Sequence, residues 1–305
     1  MKVGILDIDN TCYPNLALMK LSAYHKAKGD EVEFVSIGNY DITYMSKIFT
    51  YMPDYTPSLA NLGKVIKGGT GYDLTIKLPD EVEQMQPDYD LYGIKYTSYG
   101  FITRGCNRNC NWCVVPKKEG KPKFVNDVEW IANGRKNVVI MDNNILANKH
   151  GIEQIHKIID LGLRVDFNQG LDARLVTDEI ADLLAKVKWI KSIRFAVDIK
   201  GQIKPVIKAM QKLIERAVKK WRFTNYLLLN GSLQDSYERA KAMRDFGVHI
   251  NPQPYRDFRT INKIPQWQKD FARWGNKKQL YDAIDFRDYR PRKNFVCSSY
   301  FSNCT

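Results

Sequence analysis

The sequence predicts an α/β protein built on parallel strands, arranged as two domains and a C-terminal extension. Two observations carry this. Short apolar runs alternate with amphipathic helical stretches along most of the chain, as parallel strands joined by crossover helices require. Charge also changes along the chain: residues 1–95 hold 9 Lys, no Arg and 13 acids, a net of −4, whereas the other 210 hold 38 basic and 21 acidic residues, a net of +17. The 305 residues are 44% hydrophobic and 27% charged, which excludes a disordered or collagen-like chain and leaves room for two cores. No uncharged run approaches the ~18 apolar residues of a membrane helix. Asp7 and Asp9 follow the first apolar stretch too closely for a signal peptide. A cytoplasmic protein without membrane contact is expected.

In chain order, Val3–Leu6 reads as a strand, and Asp7, Asp9 and Asn10 as the turn after it. A helix is expected over about Leu16–Lys28, stopped by Gly29-Asp30, with a second strand over Glu31–Val35. Val65-Ile66 runs into the turn Gly68-Gly69-Thr70-Gly71. Residues 1–95 thus resemble a small flavodoxin-like parallel α/β domain. From Tyr96, strands are expected at Tyr99–Thr103, Val138–Met141, Val165–Phe167, Ile193–Val197, Tyr226–Leu229 and Val248–Ile250. Helices are expected at Asp127–Arg135, Ile152–Leu161, Asp178–Val187, Val206–Trp221 and Asp235–Phe246. Asn126 and Thr177 suit N-caps, Pro205 a first helical turn, and Gly162 and Gly247 helix ends. Six β/α units over residues 96–260 predict a partial (β/α)6 TIM-like barrel, short of the usual eight. Residues 261–305, rich in aromatic and basic side chains, are expected to cover it.

The six cysteines lie at 12, 106, 110, 113, 297 and 304. A secreted disulfide framework would spread them more evenly. Cys106, Cys110 and Cys113 instead form C-x-x-x-C-x-x-C on a loop directly after the first barrel strand. Thiolates are the usual ligands of iron–sulfur clusters, and three on so short a loop can wrap one face of a [4Fe–4S] cubane, leaving one iron open. A structural zinc site needs four ligands, and no fourth Cys or His lies within thirty residues of the trio.

The motif, with Trp112 directly before its last Cys, resembles that of the radical S-adenosylmethionine superfamily. The resemblance implies that the open iron chelates the methionine moiety of S-adenosylmethionine. Reductive cleavage then gives a 5′-deoxyadenosyl radical that abstracts hydrogen from substrate, with a flavodoxin or ferredoxin-type electron donor. Asp142-Asn143-Asn144 follows the second barrel strand, where superfamily members carry a motif that holds the methionine amino group. The run Asp166 to Arg174 resembles a segment of radical-SAM enzymes that bear a cobalamin-type N-terminal domain. It offers Gln169 and Arg174 to the cofactor or substrate, the alternative for Arg174 being a surface ion pair. Asp198, Asn230 and Gln253, after strands four to six, are placed to meet ribose, adenine or substrate.

Nearly the whole chain resembles small radical-SAM proteins of bacteria and phages with a shortened cobalamin-binding-like domain. The cobalt-ligating Asp-x-His-x-x-Gly signature is missing, since Asp9-Asn10-Thr11 has no His, and His25 is expected on a helix surface; cobalamin is therefore not expected. Lys204, Lys208, Lys212, Arg216, Lys219 and Lys220 form a stripe along one predicted helix, and Lys117, Lys118, Lys121 and Lys123 accompany the cysteine loop. Both favour an anionic substrate, a nucleotide or nucleic-acid base, although a solvated helix face gives the same stripe. Cys297 and Cys304 are expected as isolated thiols, and without a second ligand set methylthiolation is disfavoured. The rival reading is a non-catalytic basic nucleic-acid-binding protein with a structural metal cluster.

Overall fold

The computed structural model describes residues 1–11, 13–257 and 263–302; Cys12 and Cys304 lie outside them. The chain divides into two compact units, Met1–Thr97 and Ser98–Thr305.

In the first unit, β1 (Lys2–Asp7) pairs in parallel with β2 (Glu31–Phe34) on one side and β3 (Ile42–Ser46) on the other; β4 (Lys64–Gly68) pairs in parallel with the far edge of β3. One long helix, α1 (Leu16–Ala27), crosses between β1 and β2. Its N-cap is Asn15, whose side chain accepts from the Leu18 amide. Leu18 and Leu21 pack against Ile5 and Val82 to form a small core.

β3 was not expected. Its inward residues include Thr43 and Ser46, both buried, so the strand lacks a hydrophobic run. Their hydroxyls find partners: Thr43 donates to the Leu62 carbonyl, and Ser46 accepts from Asn15 Nδ2. His25 is buried on α1 rather than exposed, with one ring nitrogen 2.7 Å from Asp30 and the other 3.0 Å from the Tyr44 hydroxyl. The glycine turn is a close backbone approach. Gly69 has φ +98°, and a Cβ there would lie 2.4 Å from the Lys47 carbonyl.

The second unit holds the six expected strands: β5 (Thr97–Gly100), β8 (Asn137–Ile140), β9 (Arg164–Phe167), β11 (Ile193–Ala196), β12 (Phe223–Leu229) and β13 (His249–Pro254). Between the first two lie β6 (Thr103–Arg104) and β7 (Lys123–Phe124), and β10 (Lys188–Trp189) follows β9. One sheet runs in the order β10-β9-β8-β5, the other β11-β12-β13, and a single parallel bridge between Leu171 and Phe195 joins them. β8 with β9, β11 with β12 and β12 with β13 are all parallel.

Helices α2 (Val128–Ala132), α3 (Lys149–Asp160), α4 (Asp178–Lys186), α5 (Ile203–Glu215) and α6 (Leu233–Phe246) follow the strands in turn. Their apolar faces bury Val138, Val165, Phe167, Phe195, Phe223 and Leu227 in one core.

Helix ends depart from expectation for identifiable reasons. The cap of α2 is Asp127, which accepts from the Glu129 amide, rather than Asn126, and Asn133 at φ 42° ends the helix early. α5 stops at Glu215 because Ala217 takes φ 64°. The C-terminal segment does more than overlie the strands. Phe271 and Trp274 of α7 (Gln266–Gly275), Tyr281 of α8 (Lys278–Ala283) and Phe286 are all buried in this core. No helix among the described residues is long and apolar enough to cross a membrane.

Candidate metal and cofactor site

The cysteine loop is an excursion between the two antiparallel strands β6 and β7, whose register pairs Thr103 with Phe124 and Arg104 with Lys123. Gly105 begins it at φ +91°, and a Cβ there would sit 2.3 Å from the Lys121 carbonyl, so only glycine lets the two ends of the loop meet. The Cys106 amide donates to the Gly120 carbonyl at 3.1 Å, and the Cys113 amide to the Cys110 carbonyl at 3.0 Å.

Asp142 and Asn143 tie this loop to the end of β8. The buried Asp142 carboxylate accepts from the Ile102 and Thr103 amides, each at 2.7 Å, and from the Thr103 hydroxyl at 2.6 Å. Burial still pushes its pKa up, to about 6, against those three hydrogen bonds. Asn143 accepts from the Gly105 amide at 3.0 Å.

Cys106, Cys110 and Cys113 line one cavity of about 240 Å³, together with Trp112, Asn143, Asn144, Gln169, Arg174 and Asp198. Sequence reasoning placed those nine residues at the site, and they converge there. Asp142 and Asn230 do not line the cavity, nor does Gln253. Asp142 is consumed by the backbone it caps, which corrects the expectation that it faces a ligand. None of Lys117, Lys118, Lys121 and Lys123 lines the cavity either.

Arg174 is also corrected in part. It reaches the cavity, but its guanidinium is committed to Asp172, with Nε 2.7 Å and Nη2 3.0 Å from the two carboxylate oxygens. Sequence reasoning missed Asp172 as a hub. Its side chain is 7% exposed and also accepts from Arg108 Nε at 2.9 Å and Asn144 Nδ2 at 3.4 Å, fastening the cysteine loop to the segment after β9. Burial would raise the Asp172 pKa, but Arg174 and Arg108 together hold it below the usual carboxylate range. The one available signal was the local spacing Asp172-x-Arg174, whereas Arg108 lies 64 residues away.

The donor set suits a sulfur-ligated cluster. Burial raises the Cys110 and Cys113 thiols, with the neighbouring cysteines adding to the shift, so a bound cation is what would hold them as thiolates. The Cys106 sulfur accepts from the Arg108 amide at 3.4 Å and from Asn144 Nδ2 at 3.6 Å, the kind of contact that tunes cluster ligands. Among the described residues no three His, Cys, Asp or Glu side chains converge to hold a single metal ion. A cubane asks for less convergence, because each thiolate binds a different iron. Asn144 is 5% exposed, and its buried Oδ1 has no hydrogen-bond partner among the described residues.

Asp198 accepts from the Leu228 amide at 3.1 Å, and burial raises its pKa. Cys297 is fully buried, and its thiol is pushed up to about 12 by that burial.

No family model matches the chain. Curated relatives named tRNA-2-methylthio-N(6)-dimethylallyladenosine synthase do. The protein of that name from Clostridium botulinum is 24% identical over 272 residues, 85% of this chain and 57% of the relative. That from Clostridium beijerinckii is 24% identical over 52% of this chain and 37% of the relative, and that from Fusobacterium nucleatum 27% over 36% and 29%. The chain thus matches little more than half the length of the first of these relatives and well under half of the other two. Synthases of this name are radical-SAM enzymes, so the similarity supports the resemblance at the level of the superfamily.

Proposed function

We propose that the chain is a radical-SAM enzyme that modifies a nucleic-acid base, with tRNA the first substrate to test. The observation that carries it is one cavity lined by all three cysteines of the motif and by polar side chains that follow three strand ends, those of β8, β9 and β11. In this reading the six strands form an incomplete (β/α)6 barrel whose strand tips open on the cavity. Cys106, Cys110 and Cys113 hold three irons of a [4Fe–4S] cluster. When bound, cluster and S-adenosylmethionine supply a 5′-deoxyadenosyl radical, with the electron coming from a flavodoxin or ferredoxin-type donor.

The chain's own residues bind and orient. The unpartnered Asn144 Oδ1 is an acceptor for an ammonium group, and the indole of Trp112 gives an apolar wall. Asp198 has lone pairs left to receive ribose hydroxyl donors. The Asp172–Arg108–Arg174 cluster fixes the cysteine loop and, being net positive, favours a carboxylate nearby. The relatives' names and the net charge of +17 beyond residue 95 favour a polynucleotide substrate.

The relatives' names also favour methylthiolation. Against it, residues 1–97 hold a single cysteine, Cys12, and so no second three-cysteine set. Mass spectrometry of nucleosides separates the two readings. Bulk tRNA is incubated with reconstituted protein, reductant and S-adenosylmethionine, then digested. A mass shift in one nucleoside supports the proposal, and a shift of one methylthio group assigns the reaction. Unchanged nucleosides in both tRNA and total RNA overturn the substrate class.

A further inference from the structure

Beside the cavity runs a groove of about 530 Å³ between α4 and α5, sharing Ala173, Arg174 and Pro205 with it. Lys204, Lys208 and Lys212 line one wall, and Thr177, Asp178 and Glu179 the other. The lysines are four residues apart on one helix, so they step along the groove by about 6 Å each.

Their pairing differs along the groove. At the far end Lys212 lies 3.2 Å from Asp178, and Arg216 pairs with Asp178 and Asp182. Asp178, in the first turn of α4, thus offsets Lys212 and, together with Asp182, Arg216 beyond it. Nearer the cavity Lys204 and Lys208 are exposed and have no carboxylate partner among the described residues. The uncompensated lysines therefore lie at the end of the groove nearer the cavity mouth. A solvated face has no need of a groove, nor of uncompensated lysines at its cavity end.

We infer that this groove holds the phosphodiester backbone of the polynucleotide whose base enters the cavity, with Lys204 and Lys208 each meeting one phosphate. The inference rests on the function proposed above and adds to it where the strand lies. Successive cations on a rigid helix follow a backbone without reading sequence, so binding here is electrostatic and salt-dependent.

The test measures fluorescence anisotropy of a labelled 17-nucleotide RNA stem-loop with the full-length protein at 50 and 200 mM KCl. K204E/K208E should bind at least tenfold more weakly at 50 mM. Its log–log salt slope should be shallower by about 1.4 to 1.8, from 0.7 to 0.9 per lost phosphate contact. The charge-matched control K149E/K241E alters exposed lysines on α3 and α6 that pair with Glu153 and Asp245, and it should stay within twofold of the parent. The milder K204A/K208A, checked by circular dichroism, should weaken binding severalfold if the glutamates disturb folding. Equal weakening in both double-Glu variants, or none in K204E/K208E, overturns the groove while leaving the function standing. Parent protein that forms 5′-deoxyadenosine yet binds neither the stem-loop nor bulk tRNA, or binds phosphatidylserine vesicles instead, overturns groove and substrate class together. RNA binding that depends on Lys204 and Lys208 in a protein that never cleaves S-adenosylmethionine keeps the groove and overturns the enzyme.

Discussion

Replacing Arg239 by Met should loosen the strand ends that carry Asp198. Arg239 is fully buried. Its guanidinium donates to Asp235 at 2.7 Å, to the Val197 and Leu228 carbonyls at 2.7 and 3.0 Å, and to the Ser236 hydroxyl at 3.2 Å. Those carbonyls flank Asp198 on neighbouring strand tips. Methionine fills much of the volume but donates nothing. Each buried acceptor left unpaired costs about 1–3 kcal/mol. The Asp235 side chain is 24% exposed and can recover hydration, so it adds little. Two carbonyls then give about 2–6 kcal/mol, a span that includes the ~3–5 kcal/mol of breaking a buried charged pair. For a unit of some 200 residues that is a fall in Tm of roughly 10 °C, at about 2–4 °C per kcal/mol. Thermal melts followed by circular dichroism on metal-free protein measure it, with Arg239→Lys falling between parent and Met variant. A Met variant that melts within 2 °C of the parent refutes the reasoning, because the carbonyls would then have other partners.

Three further predictions concern the loop and its supports. Asp142 has a pKa near 6 when folded against 3.8 unfolded, so it is protonated in both states below about pH 4, and its ionisation costs the folded state above that. Stability should therefore decline as pH rises from about 4 to 6, by at most ~3 kcal/mol at 1.36 per unit, and urea titrations of Asp142→Asn should lack this component. Gly105→Ala should lower the urea midpoint and iron occupancy, since its Cβ meets the Lys121 carbonyl. Gly120→Ala, at φ +72° with open space around it, should cost only the ~1–2 kcal/mol of a left-handed residue. Iron assays should show loss of cluster in alanine variants of Cys106, Cys110 or Cys113 and full retention in Cys297→Ser, whose parent thiol is buried and protonated; iron loss in Cys297→Ser would reveal a second ligand set.

What the sequence made legible follows from what its patterns encode. The strands β8, β9 and β11 of the second unit are short runs containing Val, Ile and Phe, α4 and α6 carry side-chain N-caps, and all six expected strands lie within a few residues of expectation. β3 escaped notice because buried Thr43 and Ser46 interrupt its apolar pattern, and only the folded neighbours satisfy their hydroxyls. The cysteine trio was readable because its ligands are local. Asp172 was not, because its role depends on Arg108 and Asn144, brought to it by different elements. Asp142 was over-read for the converse reason: a polar residue at a strand end can face a ligand or cap a neighbouring backbone, and spacing alone does not distinguish these. Arg239 carried no signal at all, as nothing in a helical stretch marks an arginine that turns inward to strand carbonyls.

The proposed function rests on three cysteines around one cavity holding a cluster that works on S-adenosylmethionine. The direct measurement is anaerobic reconstitution with iron and sulfide, metal and sulfide analysis, then addition of dithionite and S-adenosylmethionine with chromatography of the products. About four iron and four sulfide per chain, with 5′-deoxyadenosine and methionine formed by the parent and not by Cys110→Ala, is the predicted result. Stoichiometric zinc in place of iron, with no cleavage of S-adenosylmethionine, would contradict the account.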